Sequence, residues 1–167
     1  MTQLTHRPNA VQQFLQFIPK SKPGAWLFAR TLHHFDRPVL RLSHGRYSLT
    51  SALAGLPVVV VTTIGAKSGQ PRSLPLVAIP DRENVILIAS NFGQQHHPAW
   101  YYNLRAHPDV QLTYEGKTVT YLAHETEGVE RDRCWQHAVD LYPGYALYKE
   151  RASQRKIGVF LLTPQTT

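Results

Sequence analysis

The chain has 167 residues, 43% of them hydrophobic and 17% charged, with a mean hydropathy of −0.29, which excludes an intrinsically disordered chain and suits one domain with its own core. One cysteine, Cys134, excludes an internal disulfide framework and any CxxC metal or redox motif, and no apolar run approaches a membrane span, so a cytoplasmic location is expected. The net charge of +7 is lopsided, with ten Lys/Arg against three Asp/Glu through Asn84 and eight of each beyond it. Such an excess fits a polyanionic partner (nucleic acid, an anionic membrane or a phosphorylated ligand) or serves solubility alone. No nucleic-acid-binding module is recognisable, so nucleic acid is not expected as a partner.

In chain order, residues 9–19 suit a short amphipathic helix, and a second helix opens at Pro23. There Phe28, Leu32, Phe35, Val39 and Leu42 make an apolar helical stripe, Pro38 interrupts it, and Arg30, Arg37, Arg41 and Arg46 give a basic side. The stripe suits packing on the core, or weak peripheral contact with the inner face of an anionic membrane. We therefore expect residues 1–50 to form a helical segment flanking a barrel unit at 51–167. PVVVVTT (57–63) reads as a strand buried on both faces. IGAKSGQPR (64–72) is a turn. SLPLVAIP (73–80) and NVILIAS (84–90) are strands, and NFGQQHH is a loop. A helix runs from Pro98 to about Ala106, then two strands flank Gly116, two helices cover Val129–Leu141 and Tyr145–Ala152, and 157–163 is a closing strand. Six strands joined mostly as hairpins predict a mainly β fold, an antiparallel barrel with peripheral helices.

Three segments carry chemistry. In Gly65–Arg72 two glycines free a turn to present backbone N–H groups, while Lys67, Ser68 and Arg72 add an ammonium, a hydroxyl and a planar fork suited to phosphate or carboxylate. The spacing is not that of a P-loop, and an ordinary solvent-exposed basic turn is the alternative. Ser90-Asn91-Phe92-Gly93 followed by His97-Pro98-Ala99-Trp100-Tyr101-Tyr102-Asn103 runs from a strand end into an aromatic helix start. It offers a stacking surface, although Trp100 and Leu104 suit the core. Tyr142, Tyr145 and Tyr148 recur every three residues around Pro143-Gly144, as a pocket wall or lid, or as packing. The histidine pairs lack a metal-ligand spacing, so no metal is expected, and Cys134 reads as a buried, inert thiol.

Together, VVVVTTIGAKSGQPRSLPL, ASNFG…HPAWYYNLRAHPDV and LYPGYALYKERASQRKIGVF resemble the deazaflavin-dependent nitroreductase family over roughly residues 57–164. The resemblance implies a split β-barrel like that of FMN-binding, pyridoxamine-phosphate-oxidase-type proteins. It also implies coenzyme F-420 as hydride donor and a quinone, enone or nitroaromatic as acceptor. It matches Ala66, Lys67, Ser68, Gly69 and Arg72 to positions holding the coenzyme's phosphate and oligoglutamate tail, and Ser73, Leu74 and Pro75 to the strand that follows. Ile88, Ala89, Ser90 and Asn91 match the strand end beside the deazaflavin ring, and Ala99, Trp100, Tyr101, Tyr102 and Asn103 the helix start that closes over it. Tyr142, Tyr145 and Tyr148 match tyrosines bordering the acceptor. With Ser90 they are the acceptor-orienting residues and candidate proton source. Ala66 stands where many members carry arginine, Val77 where some carry tyrosine, and Gly158 where proline is common, which bears on tail affinity and substrate range. FMN is the alternative cofactor, because Lys67 and Arg72 suit a riboflavin phosphate equally. A non-catalytic carrier of a flavin-type ligand is the other reading, and both a monomer and a homodimer fit.

Overall fold

The valines at 58–61 open the first strand of a computed structural model that describes residues 57–165. The helices expected at 9–19 and from Pro23, and the basic side they carry, lie outside the described residues. β1 (Val58–Ile64) pairs with β2 (Pro71–Val77), and the short β3 (Ile79–Asp81) with β4 (Asn84–Ile88). Helix α1 (Ala99–Ala106) precedes the hairpin of β5 (Asp109–Tyr114) and β6 (Lys117–Glu125). Helices α2 (Gly128–Leu141) and α3 (Gly144–Arg151) lead to β7 (Val159–Pro164). At the β5–β6 turn Glu115 and Gly116 both have positive φ, 49° and 78°, which matches the twist of a tight hairpin.

All neighbours in the sheet are antiparallel, in the order β2-β1-β5-β6-β7-β4-β3. The two edge strands, β2 and β3, are consecutive in the chain, so the sheet curls until its edges meet at Ala78. The expected count of six strands becomes seven for this reason. The segment read as one strand, 73–80, changes partner: Val77 faces Val58 of β1, whereas Ile79 faces Ile86 of β4. Ala78 between them is buried and donates its N–H to the Pro57 carbonyl at 2.9 Å. Pro71, Pro75 and Pro80 all fall on these edge strands, where a missing backbone donor costs no ladder bond.

The sheet separates two cores. Val59, Val61, Val85, Leu87, Val110, Leu112, Phe160 and Leu162 point inward around Trp100 and Leu104 of α1. Ile86, Ile88, Val159 and Leu161 point outward beneath α2 and α3. β4 and β7 are therefore apolar at every position from Val85 to Ile88 and from Val159 to Leu162, while β5 alternates exposed Asp109 and Gln111 with buried Val110 and Leu112. Among the described residues no helix is long and apolar enough to cross a membrane.

Candidate active site

The β1–β2 connection is shaped by its own backbone. Gly65 donates to the Gln70 carbonyl at 2.9 Å and Gly69 to the Gly65 carbonyl at 2.8 Å. A Cβ on Gly65 would lie 2.5 Å from Ser68 Oγ, and Gly69 has φ +64°, so both positions favour glycine. Asn103, buried on α1, pins this loop to the helix. Its Oδ1 accepts from the Ala66 N–H at 3.0 Å, and its Nδ2 donates to Thr63 Oγ1 at 3.0 Å. The N–H groups of Lys67 and Ser68 have no hydrogen-bond partner among the described residues. Lys67, Ser68, Gly69 and Arg72 are exposed.

A cleft of about 1260 Å³ runs between this loop, β2 and the first turn of α1. Ala66, Lys67, Ser68, Arg72, Ser73, Leu74, Pro75, Ala99, Trp100, Tyr102 and Asn103 all line it, so one concavity collects most of the residues expected to hold the coenzyme. One part of its wall is basic and rich in N–H donors. The rest is built from Val60, Pro75, Pro98 and Trp100, with Tyr102 half exposed beside it. A long ligand with an anionic tail and a planar, largely apolar head fits that division. Val60, at the middle of β1, is a wall residue that the sequence reading missed, because a run of four valines does not reveal which one faces a cleft.

The other expected residues lie elsewhere. Gly69 sits at the loop tip and does not line the cleft. Tyr101 turns away from it and donates to both carboxylate oxygens of Glu125, at 3.0 and 3.2 Å, with Arg105 3.5 Å from the same carboxylate. Ile88 belongs to the outer core and Ala89 to the inner one. Tyr142, Tyr145 and Tyr148 are buried together in the outer core, edge-on or tilted to one another with ring centroids 5.3–6.2 Å apart. The Tyr142 and Tyr148 hydroxyls are 3.3 Å apart, and the Tyr145 ring tilts toward Trp135. None of the three lines the cleft. Burial raises the pKa of all three above the ordinary tyrosine value, with the neighbouring Tyr148 adding to the shift of Tyr142 and Tyr145. They are neutral hydrogen-bond donors and poor acids at neutral pH.

Ser90 and Asn91 lie at the start of the loop between β4 and α1. Asn91, Phe92 and Gly93 are all left-handed, at φ 47°, 55° and 81°, which costs roughly 1–2 kcal/mol at Phe92 and less at Asn91, whose short polar side chain tolerates this region. Asn91 Nδ2 donates to the His96 carbonyl at 3.1 Å. The half-buried Arg155 guanidinium reaches across to this loop, with Nε to the Gln94 carbonyl at 2.8 Å, Nη1 to Ala89 at 3.1 Å and Nη2 to Ser90 at 2.7 Å. The His97 ring stacks on Tyr101 at 3.9 Å, and its Nδ1 lies 3.3 Å from Arg155 Nη1. Burial, then the Arg155 charge, lowers the His97 pKa. No periodicity or motif marks Arg155, which in sequence is one of several cations in KERASQRK.

Known proteins place this arrangement. The F420H(2)-dependent quinone reductase family model matches residues 37–164. An F420H(2)-dependent quinone reductase of Mycobacterium tuberculosis is 32% identical over 139 residues, 78% of this chain and 93% of that protein. The solved structure of an F420-H2 dependent reductase, 39% identical, superposes with a TM-score of 0.58 over 64% of this chain and 93% of its own. A structure of a domain-swapped dimer, 33% identical, gives 0.60 over 84% of this chain and 99% of its own. The curled sheet is thus the split barrel of these reductases, and the protein belongs to the F420H(2)-dependent quinone reductase family, oxidoreductases whose coenzyme is F-420.

Proposed function

We propose that the protein passes hydride from reduced F-420 to a quinone, with the coenzyme lying along the cleft between the β1–β2 loop and α1. The observation that carries the placement is the division of that cleft. Lys67, Arg72 and the N–H groups of Lys67 and Ser68, which have no partner among the described residues, gather at one part, and an apolar wall beneath Tyr102 forms the other. Lys67, Ser68 and Arg72, with the backbone N–H groups of Lys67 and Ser68, bind the phosphate and carboxylates of the tail, and Ala66 and Gly69 shape the loop that presents them. Ser73, Leu74 and Pro75 continue that wall. Ala99, Trp100, Tyr102 and Asn103 form the opposite side, while Ile88, Ala89, Ser90 and Asn91 border the ring from the end of β4, and Tyr101 supports α1 from behind.

When bound, the coenzyme supplies the hydride, and the chain's own part is position and electrostatics. Holding donor and acceptor in register removes about 7–11 kcal/mol of barrier in well-oriented cases. Tyr142, Tyr145, Tyr148 and Ser90 orient the acceptor. The raised tyrosine pKa values support hydrogen bonding to a developing oxyanion over outright proton transfer. For the finer questions of assembly, a 33% identical structure that is a domain-swapped dimer supports a homodimer. The basic residues of 1–50 support weak contact with an anionic membrane at the inner face, with 51–167 as the barrel unit. Sedimentation of the full chain, alone and with anionic vesicles, reads both.

Spectroscopic titration with oxidised F-420 and with FMN, alongside oxidation of reduced F-420 by a soluble naphthoquinone, tests the function. Saturable binding of F-420 with quinone-dependent turnover is expected. Absence of either overturns the reading.

A further inference from the structure

The loop between β4 and α1 is held in a conformation its residues do not favour. Asn91 and Phe92 are consecutive non-glycine residues with φ near +50°, and Phe92 has no short polar side chain to compensate. Such backbone persists only where its surroundings over-determine it. Here the surroundings come largely from one place, the connection between α3 and β7. Arg155 spends Nε, Nη1 and Nη2 on the carbonyls of Gln94, Ala89 and Ser90, bracketing the left-handed turn on both sides. Gln95 Nε2 donates to the Arg151 carbonyl at 2.5 Å, and Gln95 Oε1 accepts from the Gln154 N–H at 3.2 Å. A Cβ on Gly93 would lie 2.7 Å from the Arg151 Cβ, so the turn presses directly on the end of α3.

We propose that Arg155 is a positioning residue for hydride transfer: its guanidinium holds the turn at 91–93 in its left-handed form and so sets both ends of the loop at the coenzyme site. One end is Ser90 and Asn91, beside the ring. The other is His97, which precedes the cleft residues Pro98 and Ala99 and whose Nδ1 lies 3.3 Å from Arg155 Nη1. Phe92 extends the same unit toward the tyrosines, edge-on to Tyr148 at 6.1 Å. All three carbonyl acceptors are neutral, so what counts is the fork geometry of the guanidinium more than its charge, and lysine cannot reproduce three divergent donors at fixed angles. The role of the turn in turnover rests on the reading of the cleft as the coenzyme site; the clamp itself does not.

The test is Arg155→Lys in the full chain, read two ways. Without coenzyme, amide exchange at Gly93 and Gln94, whose N–H groups close the turn onto Ser90 and Asn91, is expected to accelerate at least about tenfold. With coenzyme, kcat per folded molecule is expected to fall about ten- to a hundredfold, the penalty of a displaced near-attack geometry, while F-420 affinity changes less than about threefold because none of the tail residues Lys67, Ser68 and Arg72 is among the groups Arg155 bonds. Phe92→Gly in the Arg155→Lys background removes the strain the clamp opposes, and is expected to slow exchange and recover part of kcat. Unchanged exchange in Arg155→Lys overturns the clamp, whatever the protein reduces. Faster exchange with kcat intact after correction for folded fraction overturns its role in turnover. A parent protein that neither binds F-420 nor reduces a quinone defeats the function and leaves the exchange result to judge the clamp.

Discussion

The two sides of the curled sheet treat their polar aromatic and cationic groups in opposite ways. At the barrel mouth, Lys67, Ser68 and Arg72 stand in solvent and two backbone N–H groups have no partner among the described residues, while α1 behind them is fixed by Asn103 and Trp100. On the outer face beneath α2 and α3, three tyrosines at 5–8% exposure fill space and touch one another. A ligand arriving from solvent meets the first region without rearrangement. The second contributes to stability first, and to the reaction only through what its buried hydroxyls present. The difference separates variants that weaken binding from variants that weaken the fold.

The largest effect is expected where packing is densest. Tyr145→Ala should cost about 3–5 kcal/mol of stability, the range for emptying a buried aromatic site, and lower Tm by roughly 2–4 °C per kcal/mol. Tyr145→Phe should be nearly silent in stability, because the Tyr145 hydroxyl has no hydrogen-bond partner among the described residues. A fall in kcat for Tyr145→Phe at unchanged Tm is what the proposed acceptor-orienting role requires, and an unchanged kcat would leave this tyrosine to packing alone and sharpen the contrast between the two regions. At the mouth, Arg72→Ala and Lys67→Ala should each weaken F-420 binding by about 1.5–3 kcal/mol, roughly ten- to a hundredfold, with Tm unchanged. Equal affinity to the parent in both variants would remove the tail from this loop.

Asn103→Ala joins the two kinds of effect. It leaves the Ala66 N–H without its acceptor and takes from the buried Thr63 hydroxyl the donor it accepts from, so about 1–3 kcal/mol of stability should go, together with severalfold in coenzyme affinity as the loop loosens. Chemical denaturation and the same titration read both. The smallest expected effect is at His97, whose pKa is held below its ordinary 6.5 by burial and Arg155. Because the unfolded state binds the proton more readily, the stability gained from neutral His97 is whole above pH 6.5. It fades as the pH falls from there toward the lowered native value. Replacing His97 by Gln should flatten that part of the stability–pH curve. An identical slope in parent and variant would show that His97 is not the group titrating.

Much of the fold was legible because its signals are local. Turn glycines, the flanking prolines of α1 and the apolar runs of β4 and β7 placed β1, β4 to β7 and the three helices to within about two residues, the usual fraying of element ends. The cleft was partly legible for a similar reason. Gly65–Arg72 is a contiguous loop, so its cations must cluster wherever the chain goes, and family resemblance supplied the rest. Strand count was not legible, because the partner change at Ala78 depends on which edges the curled sheet brings together and leaves no mark on the run SLPLVAIP.

The sequence by itself therefore determined the β-rich architecture, the basic loop and the family to which the chain belongs, since each rests on contiguous blocks of residues and their order in the chain. Tertiary structure alone decided which valine of β1 faces the cleft, and that Tyr101 answers to Glu125 while Tyr102 faces the cleft. It also decided that the tyrosines are packed in the outer core, and that Arg155, 65 residues from Ser90, holds the turn beside it. Side-chain direction on a curled sheet and contacts across such separations are set by sheet closure and packing, and no local pattern encodes them.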